Sequence, residues 1–221
     1  MKISIENSIP EDILIRFPVL NIKEKNANLQ VCYDIVKEFA PKRIAEIGVR
    51  CGYSAWAMMQ AAPEARFIGY DNYSYKPREI CQCASEYMLR GYDTEIMEVD
   101  TQETTTLVQA VRGKKGFPQA YPKGRPVGRK ATSTQALKDI DLFHVDGDHS
   151  FKGAYHDLEL ALKTLSKDGK ILVDDTSLKD VGQACVDFIW VHNEYEIRIL
   201  EDDLYYGKWL IQKKGTIKDG D

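Results

Sequence analysis

Arg43-Ile-Ala-Glu-Ile-Gly-Val-Arg-Cys-Gly-Tyr-Ser54 is the stretch on which the reading of this chain turns. Arg43–Val49 is a short, largely apolar run with a glycine near its end, as expected of a strand covered on both faces of a parallel sheet. An alanine- and methionine-rich helix, Ser54–Ala62, should follow. The unit then recurs. Arg66–Tyr70 reads as a strand ending at Asp71, Pro77–Arg90 as a helix, and Thr94–Val99 as a strand ending at Asp100. Asp141–Val145 reads as a strand ending at Asp146. In Phe151–Leu165, Leu158, Ala161, Leu162 and Leu165 form one helical stripe. Asp168-Gly169 reads as a turn, Lys170–Val173 as a strand ending at Asp174, and Val181–Trp190 as a helix. Upstream, Leu29–Phe39 has helical spacing and Pro41 stops it. Downstream, Glu196–Leu200 and Trp209–Lys213 read as an antiparallel hairpin joined by a short polar link. Such alternation predicts an α/β fold, a doubly wound and mostly parallel sheet with helices on both faces.

The 221 residues suffice for one large domain with a buried core, and a second full domain is not expected. A net charge of -4 argues against nucleic-acid affinity of the whole domain but is silent on local patches. Five cysteines without a regular framework point to reduced thiols, and Cys81-x-Cys83 is not a C-x-x-C redox or zinc motif. The acidic N-terminal stretch does not read as a signal peptide, and no run is long enough to span a bilayer. The expected location is the cytoplasm, with no membrane partner.

Asp71, Asp100, Asp146 and Asp174 each close a predicted strand. In an open α/β sheet, ligands bind beyond the carboxyl ends of the strands, so these acids should meet on one rim. Any one of them can also serve merely as a helix N-cap. Gly48 and Gly52 allow close backbone approach at the first turn, with a spacing that differs from the dinucleotide G-x-G-x-x-G. Asp71 can accept both hydroxyls of a ribose, and Asp100 can accept from an adenine amino group. Together they imply an adenosine-bearing cofactor.

Glu46-Ile-Gly-Val-Arg-Cys-Gly-Tyr-Ser54 resembles the first motif of class I S-adenosylmethionine-dependent methyltransferases, E-x-G-x-x-x-G-x-S. The resemblance covers roughly residues 30–212. It implies a Rossmann-like sheet of seven strands and S-adenosylmethionine as cofactor. It assigns cofactor contacts to Glu46, Gly48, Gly52, Tyr53, Ser54, Asp71, Asp100 and Asp146. The run Asp141-Leu-Phe-His-Val-Asp-Gly-Asp-His-Ser-Phe151, with Asp157-Leu158 beyond it, is similar to the branch of macrocin O-methyltransferase-like and cephalosporin hydroxylase-like proteins. Phe151 stands where that branch usually has tyrosine.

Asp146 and the Asp174–Asp175 pair close neighbouring strands, and three carboxylates in one pocket call for a divalent cation. Related O-methyltransferases bind magnesium at matching acids, which implies a metal-assisted O-methyltransferase with Asp146, Asp174 and Asp175 as ligands. As the alternative, Asp175 caps the next segment and Asp174 starts a loop. His149 is a candidate general base beside Asp146, or a loop anchor. Asp148 can orient His149 or hold substrate. His144 reads as structural, and His156 and His192 as exposed helix residues.

Arg112–Gln135 departs from the family, which needs only a short link there. It holds seven Lys/Arg, no acid, four glycines and three prolines, so it should be a loop. It can be a lid over an anionic small molecule, an arm that binds nucleic acid with Phe117 and Tyr121 stacking on bases, or a solvated or oligomer-contact insertion. The favoured acceptor is a small-molecule hydroxyl, of a sugar or natural product, with a homodimer as candidate assembly. A methyltransferase acting on nucleic acid or protein, and a non-catalytic module that keeps the fold, are the competing readings.

Overall fold

The computed structural model describes residues 2–3, 22–74, 78–110, 134–201 and 207–215. Its elements are α1 (Ile22–Phe39), β1 (Arg43–Ile47), α2 (Tyr53–Ala61), β2 (Arg66–Asp71), α3 (Arg78–Met88), β3 (Asp93–Glu98), a 3₁₀ turn (Thr101–Glu103), β4 (Val108–Ala110), β5 (Thr134–Ala136), β6 (Ile140–Val145), α4 (Phe151–Leu162), β7 (Leu165–Val173), α5 (Lys179–Val191), β8 (Tyr195–Glu201) and β9 (Lys208–Lys213). Seven strands form one sheet in the order β3-β2-β1-β6-β7-β9-β8. The first five run parallel; β9 pairs antiparallel with both β7 and β8. The Rossmann-like expectation, with its reversed C-terminal hairpin, therefore holds.

Alternation along each strand divides the core in two. Ile44, Phe67, Leu142, Leu172 and Leu210 face α1 and α2, where Leu29, Val36, Trp56 and Met59 meet them. Ala45, Ile68, Phe143, Ile171 and Ile211 face α4 and α5, against Leu158, Ala184 and Phe188. Burial on both faces explains why β1, β2 and β6 read as nearly continuous apolar runs.

Two expectations shift. The Asp168-Gly169 pair lies inside β7, at an irregularity in its register with β6, and is not a turn that precedes the strand. Gly169 is required there because an added Cβ would lie 2.5 Å from the Ile140 carbonyl oxygen. Helix α1 begins seven residues before the expected Leu29, since its first turns, Ile22-Lys-Glu-Lys-Asn-Ala-Asn28, lack the apolar spacing that marks a helix.

Most of the basic insertion lies outside the described residues. Its flanks form the two-stranded β4–β5 ladder, which takes in Thr134 and Gln135. The Tyr70 hydroxyl donates to the Val108 carbonyl at 2.8 Å, and Gln109 accepts from the Arg43 guanidinium at 2.8 Å. Arg43 begins β1, so the ladder leads toward the amino ends of the strands.

Among the described residues, no helix is long and apolar enough to cross a membrane. Cys32, Cys51, Cys81 and Cys185 are buried and Cys83 is exposed. Ellman's reagent should therefore titrate Cys83 quickly in the native protein and the other four thiols only on unfolding. Fast reaction of Cys51 would contradict this packing.

Candidate functional site

The rim is assembled by backbone contacts at the carboxyl ends of β1, β2 and β6. Gly48 has φ +92°, and a Cβ placed on it would lie 1.8 Å from the Asp146 carbonyl oxygen. Its N–H donates to the Tyr70 carbonyl at 2.8 Å. The glycine is thus needed first for chain-to-chain approach. Asp71 ties the next two turns together. Its carboxylate accepts the N–H of Arg50 at 2.6 Å and of Tyr73 at 2.5 Å. Both donors have positive φ, 46° and 48°, a conformation that costs of order 1 kcal/mol for a side-chain-bearing residue. Charge-assisted hydrogen bonds offset that cost. Each Asp71 oxygen retains a lone pair for a further donor. Burial pushes the Asp71 pKa up, against the pull of those two N–H groups.

Gly48, Asp71 and Asp146 thus share one side of the molecule. Gly52, with φ +78°, caps α2 and packs on the Ser85 backbone. Tyr53 is half-buried at the start of α2. Glu46 and Ser54 do not face solvent. Glu46 is wholly buried, accepts from Ser54 Oγ at 2.5 Å and meets His144 Nδ1 at 2.7 Å. These two assigned cofactor residues hold the loop from beneath. Asp100 is exposed two residues beyond β3 and caps the 3₁₀ turn, accepting the Gln102 N–H at 3.1 Å. A backbone donor therefore already occupies one of its oxygens.

The three expected metal acids separate. Asp174 is buried and taken up by protein donors: Lys208 Nζ at 2.6 Å, Asn28 Nδ2 at 3.2 Å and the Asp175 N–H at 2.9 Å. Burial alone would lower the Lys208 pKa, but the nearby Asp174 and Asp146 charges outweigh it and raise the pKa. A lysine so placed neutralises Asp174, so of the expected Asp146, Asp174 and Asp175 only Asp146 and Asp175 fall in the group that could hold a metal ion. Asp146, His149 and Asp175 each offer one ligand atom, all within 4.8 Å of one another. His149 Nε2 lies 3.2 Å from Asp175 Oδ2 and 3.6 Å from Asp146 Oδ1. Asp175 reaches this position with φ 54°, which aspartate tolerates better than most residues. Its pKa is raised to about 6 by burial and then by the Asp174 and Asp146 charges. The His149 pKa is also raised, chiefly by hydrogen bonding to Asp146. One pocket that elevates both an acid and a base is crowded with negative charge, as a cation site is before it fills. Two carboxylates and an imidazole can hold a divalent ion, the oxygens suiting a hard ion such as magnesium or manganese and the nitrogen a softer one.

The remaining histidines divide. His144 is structural, as expected. His156 and His192 are half-buried and hydrogen-bonded, not exposed. His156 Nε2 lies 2.9 Å from both the Thr101 and Thr104 carbonyls, and His192 Nε2 lies 2.7 Å from Glu159. Asp148 accepts the Ser150 N–H at 2.8 Å and lies so close to Gly153 that an added Cβ there would be 2.4 Å from it. It shapes the loop and does not orient His149 by a hydrogen bond. Sequence reasoning missed Lys208, Asn28 and Gln102 altogether.

A family model described as a methyltransferase domain matches residues 45–176. The chain belongs to the methyltransferase family. It is by that membership an enzyme of the S-adenosylmethionine-dependent type. No curated protein matches the sequence. Among solved structures, an O-methyltransferase from Bacillus cereus in complex with SAH (S-adenosylhomocysteine) superposes with a TM-score of 0.59 at 14% identity, over 95% of this chain and 94% of that one. SAH-bound methyltransferase PaMTH1 from Podospora anserina gives 0.57 at 19% identity, over 95% and 92%. The O-methyltransferase TomG from Streptomyces achromogenes, in complex with SAM (S-adenosylmethionine), gives 0.54 at 13% identity, over 91% and 86%. At such identities the likeness is one of fold.

Two outcomes follow for this methyltransferase. Gly48→Ala should cost about 3 kcal/mol or more, lowering the melting temperature by roughly 6 °C or more; an unchanged melt would contradict the contact with Asp146. Asp175 carries a raised pKa in the folded state, so the native protein binds more protons than the unfolded chain between about pH 4 and 6, and stability falls as pH rises through that window. In metal-free protein, Asp175→Asn should therefore raise the melting temperature by a few degrees at pH 8 and change little at pH 4, as differential scanning fluorimetry would show.

Proposed function

We propose that this methyltransferase moves a methyl group from S-adenosylmethionine to a hydroxyl of a small molecule, with a divalent cation, magnesium or manganese, at Asp146, His149 and Asp175. The observation that carries the reading is the joining of this acidic cluster to the Gly48 loop: the Gly48 backbone packs on the carbonyl of Asp146, whose side chain belongs to the cluster.

In this reading the Gly48–Gly52 turn holds the methionine part of the cofactor and Asp71 accepts from the ribose. The adenine lies toward Asp100 and the 3₁₀ turn. A cation at the cluster would lower the pKa of the acceptor hydroxyl and fix its position. S-adenosylmethionine would supply the methyl group and be released as a neutral thioether. A cation held through His149 Nε2 would leave that imidazole no lone pair for a proton, so the acidified acceptor hydroxyl would lose its proton to solvent. His149, whose side chain is about half exposed (47%), would act as the base only where no cation takes its nitrogen. Asp146 and Asp175 hold the imidazole in place. Asp174, neutralised by Lys208, adds no free charge. The loop run Asp146–Phe151 further supports kinship with the macrocin-like branch.

Thermal shift with SAH, with and without magnesium or manganese, tests the proposal. SAH should stabilise the protein alone, and metal should add a further shift. Metal uptake requires an unprotonated His149 and an ionised Asp175, so the added shift should be larger at pH 8 than at pH 6. Asp146→Asn, Asp175→Asn and His149→Ala should each abolish the metal increment and keep the SAH increment. A metal increment that survives in all three variants would defeat the cluster assignment.

A further inference from the structure

The mechanism above leaves a buried carboxylate in α4 unused. Asp157 is wholly buried, one turn and a half into the helix. On one side its Oδ1 accepts from Gln102 Nε2 at 3.1 Å, across 55 residues of sequence. Gln102 belongs to the 3₁₀ turn that Asp100 caps. The adjoining His156 grips the same turn through the carbonyls of Thr101 and Thr104. On its other side, Asp157 Oδ2 presses on the catalytic loop: a Cβ added to Gly147 would lie 2.4 Å from it. That oxygen is buried.

A buried carboxylate is costly even when hydrogen-bonded, and an apolar residue would pack a helix against two loops at less expense. Burial raises the Asp157 pKa to about 6, against the pull of the Thr101 hydroxyl and the Asp148 N–H. The side chain stands at a crossing. The turn it grips is the adenine side of the rim. The loop it presses on runs Gly147-Asp148-His149-Ser150 and carries His149. The rest of that loop is pinned to the same helix: Ser150 accepts the Gly153 N–H at 3.1 Å, and Asp148 lies over Gly153. His149 therefore sits on a short span whose first residue rests on Asp157.

We propose that Asp157 is a positioning residue that links the Thr101–Thr104 turn to the Gly147–Ser150 loop, so that a nucleoside docking on the turn orders His149. The link rests on the reading that this rim takes an adenosine cofactor. Ordering of the turn fixes Gln102, Gln102 fixes the Asp157 carboxylate, and the carboxylate fixes Gly147 by contact. Such coupling is a free energy shared between two sites and must appear as a ligand effect at the second one.

Hydrogen exchange on the full chain with and without SAH tests it. In the wild type, SAH should slow exchange in both the 101–104 and 147–150 segments, by at least fivefold in the loop. In Asp157→Ala, SAH should still slow the turn but leave the loop unchanged. Asp157→Asn keeps the oxygen that meets Gln102 and the shape that meets Gly147, so it should restore the loop effect. Gln102→Ala, which leaves the core intact, should behave as Asp157→Ala does and keeps the test alive if the latter fails to fold. Equal SAH protection of the loop in wild type, Asp157→Ala and Gln102→Ala would overturn the proposal, as would SAH binding that never reaches the loop. A wild-type protein that binds no SAH would instead remove the cofactor reading, and this link with it.

Discussion

A line of buried polar groups crosses four adjacent strands at the edge of the sheet where β1, β6 and β7 end and the antiparallel β9 begins. Glu46 on β1 meets His144 on β6 at 2.7 Å; His144 lies 4.0 Å from Asp174 after β7; and Asp174 meets Lys208 on β9 at 2.6 Å. All four side chains are buried. Such groups are tolerable inside a protein only as a connected set, because loss of one strands its partner's charge at a cost of several kcal/mol. The line fixes the register of the strand ends on which the rim is built. It holds Ser54 under the first loop at one end and the Asp174–Asp175 backbone at the other.

Above the line the balance reverses. Asp146, His149 and Asp175 are partly exposed; the two acids repel each other, with His149 between them as the nearest countercharge. Arg50, Tyr73 and Asp175 hold positive φ. Strain and like charge at one rim, over a buried and charge-paired interior, is the pattern expected where a protein gives up stability for ligand binding.

The fold was legible because its strands are covered on both faces and its helices on one, so hydrophobic period alone separates them. The rim itself was legible through Gly48 and Asp71, where the backbone demands those residue types. The division of labour among the other acids was not read. Yet period two contains it. Ile44, Leu142, Leu172 and Leu210 pack on the α1–α2 face. Glu46, His144, Asp174 and Lys208 each stand two residues from one of these along the chain, so they extend that face inward, and Asn28 of α1 meets Asp174 there. Asp175 steps off that alternation to the open side. Asp157 could not be read in this way. Its partners, Gln102 and Gly147, come from two loops whose approach no local pattern encodes. The basic insertion stays an inference from composition, since most of it lies outside the described residues.

The central claim is that one rim holds an adenosine cofactor beside a cation cluster. A crystal grown with SAH and manganese tests it most directly, read by difference density and by anomalous scattering at the manganese edge. The account predicts SAH along the Gly48–Gly52 turn with its ribose on Asp71, and one anomalous peak bounded by Asp146, His149 and Asp175. SAH density elsewhere on the molecule, or a manganese peak centred on Asp174 with Lys208 displaced, would contradict it.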